Sequence, residues 1–560
     1  MKPADHQRIL HCFGFSSKLA YNYSLNLVAI FDRLPVFLIW GYGLTQLKLD
    51  LAKLFDLQVL VIESDQDLLH LIKQMLHSLG IKKLTSKSNV EELLNSKEKL
   101  SYDVIFLDYQ IEEQRSGAEI VEALIMAGIL PNRTRLVLLA AENDRARHAI
   151  EYPYHQIEYL SRPFNIKQLD AELKQHVMSG VWLKPILSLA GLGRYNDALK
   201  LLLHTRQQPI SDDLQQLLLK LKIQLLLDMD KHETVVPLLK TPVAEMQGWA
   251  LWALFRIRYE RGDIAACEAF LQDGSEELAK YAERREIWQI YLAIQQLDYD
   301  KALQVAVKIP NVGMSMKMVR LVHMVLILAG KTEQAIEFIE RKRRLAGKGL
   351  LFLQLSIAQA RSLLLLLTLN QDPLKKPVLL IQLKQLLQQI EDDKDVTQIA
   401  AAVLLIRTHL MKFEQGVDSA QLYLLQQQQQ LQVPEMSVSM LCHAAVVYAG
   451  LEQPERAFDF LFEANKVFDQ MLDNSARVFA GCLHRHAFDF IISPQHRAAA
   501  YATMAQRHQQ QQDFKLAAKM YQAAAKMAPD QPDYLQQLHL LMRQLGLRKF
   551  RGITLPATQL

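Results

Sequence analysis

The stretch Tyr102-Asp103-Val104-Ile105-Phe106-Leu107-Asp108-Tyr109 contains an apolar run that ends in a carboxylate. A short apolar run between polar residues is typical of a buried strand in a parallel sheet. In open sheets of this kind, ligands bind just beyond the carboxyl ends of the strands. We therefore predict that Asp108 lies where an α/β domain carries out its chemistry.

Strand-like and helix-like patterns alternate on both sides of this run, from about residue 57 to residue 177. Further strand-like runs are Val59–Ile62, Leu136–Leu139 and Ile157–Leu160. Apolar residues at helical spacing follow the first strand, and Gly80 is placed to end that helix. The last helix of the segment is predicted over Ile166–Val177. This alternation predicts an α/β fold with a doubly wound, five-stranded parallel sheet.

Residues that follow the predicted strands carry a family resemblance. They are Glu63 after the first strand, Asp108 at the end of the third, Ala140 after the fourth, and Arg162-Pro163 after the fifth. In this order they resemble the receiver domain of bacterial two-component response regulators, which has a flavodoxin-like fold. The resemblance implies that Asp108 accepts a phosphoryl group from a histidine kinase or phosphotransfer protein, with Mg²⁺ as cofactor.

The metal ligands implied by the resemblance depart from the usual pattern. The family has two adjacent acids after the first strand, and this chain has Glu63 and Ser64 there. Mg²⁺ prefers an octahedral shell of oxygen atoms with few carboxylates. Glu63, Asp108, the backbone carbonyl of Gln110 and water would supply that shell, and Ser64 would add only a neutral oxygen. We therefore expect a weakened Mg²⁺ site, with the Asp65 side chain directed elsewhere.

Two further positions differ in the chemistry they offer to a phosphoryl group. Ala140 stands where the family has a Ser or Thr, and a methyl group cannot donate a hydrogen bond. Arg162 stands where the family has Lys, which keeps the positive charge on a larger planar group. The resemblance also implies a cis Arg162-Pro163 peptide bond, and Gly117 follows Asp108 one residue later than in the usual pattern.

Two hypotheses about the receiver-like segment remain open from the sequence. In the first, Asp108 is phosphorylated and the domain switches by an altered route. In the second, the site is degenerate and the segment is a phosphorylation-independent scaffold or adaptor. The surviving nucleophile Asp108 favours the first hypothesis, and Ala140 favours the second.

The rest of the chain is predicted to be helical and repetitive. Helix-turn-helix junctions recur from about residue 193, each with a small residue that opens the second helix. These small residues are Ala198, Val235, Cys267, Ala302 and Ala335, at intervals of 37, 32, 35 and 33 residues. A small residue there lets two helices approach closely.

This period and these junctions resemble tetratricopeptide repeats. The clearest copy is the last, with Ala517, Tyr521, Ala524 and Pro529 at the small, aromatic, small and proline positions. The resemblance implies a receiver fused to an all-α tetratricopeptide-like solenoid, whose concave surface binds a protein partner. The identity of that partner does not follow from the sequence.

These patterns divide the chain into predicted segments. The receiver is expected at residues 56–179, and the repeats at residues 180–346 and 441–548. Residues 347–440 are predicted to be helical but lose the period, and residues 549–560 form a tail. Residues 1–55 precede the first strand of the receiver, and we expect them to be poorly ordered or to lie upstream of the natural start of the protein. The alternative is that Phe37, Trp40 and Tyr42 pack as a helix on the receiver.

The composition excludes several classes of function. A formal net charge of +4 over 560 residues argues against a DNA-binding protein that relies on electrostatic attraction. The four cysteines have no CxxC spacing, which is typical of a reducing cytoplasm. The sequence has no run of 18 apolar residues, so we expect no membrane insertion. We expect no enzyme activity beyond phosphoryl acceptance and autodephosphorylation.

Overall fold

The computed structural model describes most of the chain from Asp56 onward. The described residues are 56–88, 90, 93, 100–109, 117–126, 128–141, 154–205, 212–273, 275–279, 281–309, 314–346, 350–370, 372–393, 396–431, 436–469, 471, 474–550 and 553–556. The predictions for residues 1–55 and for Gln110 lie outside these residues.

The first described unit is a five-stranded parallel sheet, as predicted. Its strands are β1 (Gln58–Ile62), β2 (Lys83–Lys87), β3 (Val104–Asp108), β4 (Arg135–Ala141) and β5 (Gln156–Arg162). The spatial order is β2-β1-β3-β4-β5, with every neighbouring pair parallel. The chain therefore reverses its direction of winding between β1 and β3, next to the strand that carries Asp108.

The edge strand β2 has no strand-like pattern in the sequence. It reads Lys-Leu-Thr-Ser-Lys and is only partly buried. An edge strand pairs on one side only, so it needs less apolar surface than a central strand. Its pairing with β1, for example Leu60 with Thr85, completes the sheet.

Both faces of the sheet are covered by helices, which explains why the central strands are apolar throughout. Leu60, Ile105 and Leu138 belong to the core on the face covered by α2 (Gly117–Met126). The alternate residues, such as Val59 and Phe106, form a second core with α1 (Gln66–Ser78) and α3 (Ile166–Gly191). Alternation along each strand thus assigns every side chain to one face.

Helix α3 is longer than predicted. An Asn165 capping box begins it, and it continues past the predicted end at Val177 to Gly191, with Pro185 inside the helix. The N-terminal part contacts the sheet through an ion pair of 2.7 Å between Arg135 and Glu172. The predicted segment boundary at residue 179 therefore lies within one continuous helix.

The described residues of the remainder are mostly helical, and consecutive helices pack against each other. The helices are α4 (Tyr195–Thr205), α5 (Asp212–Asp228), α6 (His232–Leu238), α7 (Lys240–Ala244), α8 (Gly248–Glu260), α9 (Ile264–Gln272), α10 (Glu276–Ala279), α11 (Ala282–Gln295), α12 (Tyr299–Ala306), α13 (Met316–Leu328), α14 (Thr332–Leu345), α15 (Leu350–Leu369), α16 (Lys375–Glu391), α17 (Ala400–Gln415), α18 (Val417–Gln426), α19 (Val438–Gly450), α20 (Pro454–Asp469), α21 (Asn474–Ile491), α22 (Arg497–Gln510), α23 (Phe514–Met527) and α24 (Pro532–Gln544). A short antiparallel pair, β6 (Lys549–Phe550) with β7 (Ile553–Thr554), follows in the predicted tail.

The repeated junctions share one backbone conformation. Seven residues with positive φ begin them: Gly193, Asp230, Gly262, Leu297, Gly330, Glu452 and Gln512. At each junction this residue donates to the carbonyl three residues earlier, and its successor donates to the carbonyl five residues before itself. This is the Schellman arrangement, which satisfies the last carbonyls of a helix.

The predicted small residues lie five positions after each positive-φ residue. Ala198, Val235, Cys267, Ala302, Ala335 and Ala517 all have no exposed surface, and the same is true of Ala457 at the equivalent position after Glu452. The turn therefore places the same position of each second helix against the first helix, where a larger side chain has no room. This regularity confirms the predicted helical hairpins.

Helix α15 belongs to the stretch in which the period is lost. Residues Leu351–Leu369 have the length and apolar composition of a membrane span, and 56% of this window is buried inside the protein. Leu353, Leu363 and Leu364 pack in a core shared with α16 and α17. The apolar character of α15 is thus used in packing between helices.

Two glycine substitutions should change stability in opposite directions. Gly330 has φ of 71° and open space where a Cβ would be, so Gly330→Ala should destabilise its hairpin by about 1 kcal/mol through backbone strain alone. Gly481 lies inside α21 with only an ordinary contact to Phe468, so Gly481→Ala should stabilise by about 1 kcal/mol. Amide hydrogen exchange within each hairpin measures both effects, and equal signs would contradict the role of the junction.

Candidate functional site

Three charged side chains meet at the carboxyl edge of the sheet. Glu63 directly follows β1, Asp108 ends β3 and Arg162 ends β5. Each lies an even number of residues after a side chain on the α1 and α3 face, so the pleat directs all three to the same side. Parallel strands bring their carboxyl ends together, which places these residues at one edge.

Arg162 connects the two carboxylates through a single nitrogen. Its Nη2 donates a hydrogen bond to Glu63 Oε2 and lies 2.9 Å from Asp108 Oδ1 in an ion pair. Glu63 and Asp108 are buried, and the Arg162 side chain is 28% exposed. One guanidinium therefore reaches in from the surface to neutralise two buried acids.

The pKa of Glu63 reflects the balance of charges at this edge of the sheet. Burial raises the pKa of its carboxyl group, and the charge of Asp108 and a hydrogen bond with Asp108 raise it further. The backbone N–H of Asp65 and the charge of Arg162 oppose this rise without cancelling it. Two carboxylates beside one cation thus favour a proton or a second cation at the site.

The other predicted metal ligands are placed less centrally. Ser64 is exposed. Asp65 is the N-cap of α1, where its Oδ1 accepts from the backbone N–H groups of Asp67 and Leu68 at 2.9 and 3.1 Å. Asp65 is therefore directed away from Asp108, as expected. The carboxylates that the structure brings together are Glu63 and Asp108, and their hard oxygens suit Mg²⁺ in competition with Arg162.

The two substituted family positions contribute differently. Ala140 is buried beside Leu107 and Tyr109 in the core of the α2 face, and its neighbour across the sheet is Ser161. Its methyl group offers no hydrogen bond to a ligand. Arg162 supplies the positive charge at the site, and its peptide bond to Pro163 is cis, as the resemblance implies.

Gly117 supports the backbone of Asp108. A Cβ at this position would lie 2.8 Å from the Asp108 carbonyl oxygen and 2.9 Å from the Tyr109 Cα. The Gly117 amide donates to the Tyr109 carbonyl at 2.6 Å. Glycine is therefore required where the first turn of α2 approaches the end of β3.

A second cluster of ionisable side chains lies in the helical region. Ligand atoms of Asp230, His232 and Glu260 fall within 4.8 Å of one another. Glu260 is paired with Arg256 at 2.9 Å and Arg477 at 3.1 Å, and Asp230 is paired with a lysine. Although burial opposes it, the His232 hydrogen bond and the two arginines hold the pKa of Glu260 at about 2. These cations already balance the carboxylates, so the cluster is unsuited to a metal ion.

Sequence reasoning missed this cluster because its members come from different helices. Glu260 lies 28 residues after His232, and Arg477 lies 217 residues after Glu260. Neither spacing follows a helical or strand period. Only the packing of the hairpins brings them together.

One comparison with known proteins supports the first described unit. Residues 59–174 match the family described as response regulator receiver domain. A crystal structure of the P58(IPK) TPR domain is 14% identical, and the match covers 66% of this chain and 98% of that one. The TM-score of that match is 0.16. No curated protein sequence matches this chain.

The assignment of each region therefore rests on different evidence. The first sheet has receiver topology, a matching family over residues 59–174, and an aspartate at the end of its third strand. Among its described residues, the helical region has seven Schellman junctions with a fully buried residue five positions on. Residues 59–174 match the response regulator receiver domain in family model and in sheet topology, and a region of repeated helical hairpins follows them.

Proposed function

We propose that this protein is a signalling protein in which Asp108 accepts a phosphoryl group and the helical region delivers the output by binding another protein. The observation that supports this is the pairing of the buried nucleophile Asp108 with Arg162 at 2.9 Å. The partners would be a histidine kinase or phosphotransfer protein at the receiver, and an unidentified protein at the solenoid. No DNA partner is proposed.

The chemistry is a transfer between a phosphohistidine and a carboxylate. An Asp108 oxygen forms a P–O bond, the P–N bond of the donor breaks, and the imidazole nitrogen leaves and takes up a proton. Arg162 holds Asp108 in place and offsets the charge that remains on the phosphoryl oxygens. Glu63 and Asp108 would hold Mg²⁺, which supplies positive charge to the phosphoryl group when bound.

Phosphorylation would change the charge beside Arg162, and β5 and α3 would transmit that change to the helical region. A phosphoryl group adds negative charge and hydrogen-bond acceptors beside Arg162. Arg162 ends β5, and β5 leads directly into α3, which continues into the helical region. A cytoplasmic location, where phosphodonor proteins act and thiols stay reduced, is part of this proposal.

Ala140 supports one alternative function. The Ala140 methyl group cannot donate a hydrogen bond to a phosphoryl oxygen. In this alternative the receiver would act as a constitutive docking module, in which Arg162 stays paired with Glu63 and Asp108. In that case the solenoid would bind its partner whether or not a phosphodonor is present. The two functions therefore differ in one measurable property, the acyl phosphate on Asp108.

Substitution of the nucleophile tests the proposal directly. The protein is incubated with acetyl phosphate and Mg²⁺, and intact mass together with hydroxylamine sensitivity detects an acyl phosphate. The wild type should be modified, whereas Asp108→Asn should not, because the amide cannot attack phosphorus. Asp103→Asn is the matched control, since Asp103 lies at the opposite end of β3 and bonds Lys184 at 3.4 Å. An unmodified wild type would favour the scaffold.

A second prediction concerns the competition between Arg162 and Mg²⁺. Arg162→Gln should raise Mg²⁺ affinity about tenfold, because it removes a cation that contacts both carboxylates. Isothermal titration calorimetry measures the change. Glu63→Gln should instead abolish the binding heat, because it removes a ligand carboxylate. Unchanged affinity in Arg162→Gln would mean that Mg²⁺ binds away from this edge.

A further inference from the structure

Three distant parts of the chain meet in one buried network of hydrogen bonds and ion pairs. The receiver contributes Tyr154, which lies two residues before β5. The early hairpins contribute Asp228 at the end of α5 and Arg256 and Glu260 in α8, and the late hairpins contribute Arg477 in α21. We call this set the junction network.

Tyr154, the receiver residue of the junction network, packs against the first helices of the helical region. The ring of Tyr154 is 3% exposed and belongs to the same core as Ile186, Ala198 and Leu218. Its hydroxyl donates to Asp228 Oδ2. Burial and the charge of Asp228 raise the pKa of Tyr154, so the hydroxyl keeps the proton that it donates.

Arg256 links Asp228 to Glu260. Its Nη2 bonds Asp228 Oδ1 at 2.8 Å, and its Nε bonds Glu260 Oε1 at 2.9 Å. Glu260 also lies 2.6 Å from His232 Nε2. Because these carboxylates are buried, loss of one partner leaves the others incompletely paired and weakens the network as a unit.

The far end of the network holds the late hairpins against the early ones. Arg477 Nη2 bonds Glu260 Oε1 at 3.1 Å, and Ser475 Oγ lies 3.5 Å from the Tyr291 hydroxyl. Directly after Arg477 in α21, four apolar side chains pack against the core of α8, α11 and α13: Val478, Phe479, Cys482 and Leu483. Helix α21 thereby covers part of the surface of the early hairpins.

We propose that the junction network is a latch through which the receiver controls whether α21 covers the early hairpins. The proposal rests on the proposed function of Asp108. Strand β5 carries Arg162 at its carboxyl end and is preceded by Tyr154, so a shift of β5 that accommodates a phosphoryl group also moves Tyr154. Breaking the Tyr154 to Asp228 bond loosens Glu260 and Arg477. Release of α21 then exposes the apolar surface that Phe479, Cys482 and Leu483 cover, and because a helix already occupies it, this surface suits an amphipathic helix of a partner.

Cys482 provides a direct measure of opening. It lies in the contact between α21 and the early hairpins, and burial raises the pKa of its thiol to about 12. Cys267 is fully buried inside one early hairpin and serves as an internal control for unfolding. Alkylation of each cysteine is followed over time by peptide mass spectrometry in the intact protein.

Three variants test the latch without phosphorylation. Tyr154→Phe keeps the ring in its core and removes the bond to Asp228, and Arg477→Gln breaks the far end. Each should accelerate alkylation of Cys482 by roughly fivefold to tenfold, the range expected for one lost hydrogen bond, while Cys267 stays unchanged. Lys515→Gln is the matched control. It removes an exposed ion pair with Asp230 across the same interface and should change the rate less than about twofold.

The outcomes separate this proposal from the function of Asp108. If Arg477→Gln opens the contact and Tyr154→Phe does not, the receiver is uncoupled from it and the latch is wrong. If neither variant changes Cys482, the network does not hold α21, and the latch is also wrong. Both results are independent of phosphoryl transfer.

A final arm adds acetyl phosphate and Mg²⁺, with acyl phosphate on Asp108 measured in the same samples. Modified wild-type protein should show faster alkylation of Cys482, and modified Tyr154→Phe should show no further increase. Modification that leaves Cys482 unchanged in the wild type would overturn control by the receiver while leaving phosphorylation intact.

Discussion

Burying two carboxylates at one edge of a parallel sheet requires a cation, and Arg162 supplies it. Glu63 and Asp108 are both almost fully buried, and one arginine nitrogen contacts both. An isolated buried carboxylate is costly, so this contact determines how the ends of β1, β3 and β5 are held together. Because Arg162 contacts Asp108 directly, a new negative charge on Asp108 would act first on Arg162.

Much of this edge could be predicted from the sequence, because strand ends and side-chain parity follow from local pattern. Four of five strands, the positions of Glu63, Asp108 and Arg162, and the hairpin junctions all have local signals. Edge strand β2 has no local signal, because it pairs with one strand only and can therefore consist largely of polar residues. The predicted end of α3 at Val177 was wrong, because the helix continues to Gly191 and accommodates Pro185.

The site contacts beyond this edge could not be predicted, for a physical reason. The bond between Tyr154 and Asp228 spans 74 residues, and that between Arg477 and Glu260 spans 217. Each depends on the accumulated geometry of many hairpins. At some Schellman turns a non-glycine residue such as Leu297 adopts positive φ. Small changes in the backbone at each turn add up along the stack of hairpins, and their sum decides which distant helices meet.

Burial distinguishes the contacts that can transmit a signal from those that cannot. An exposed pair such as Lys515 with Asp230 exchanges with water at little cost. The Asp228, Arg256 and Glu260 side chains are at most 11% exposed, so their pairing is close to all-or-none. Strand β5 lies between two buried charge clusters, with Arg162 in one at its carboxyl end and Tyr154 adjoining the other. The receiver site and the helical region are thus joined by a short, stiff element that has a buried polar contact at each end.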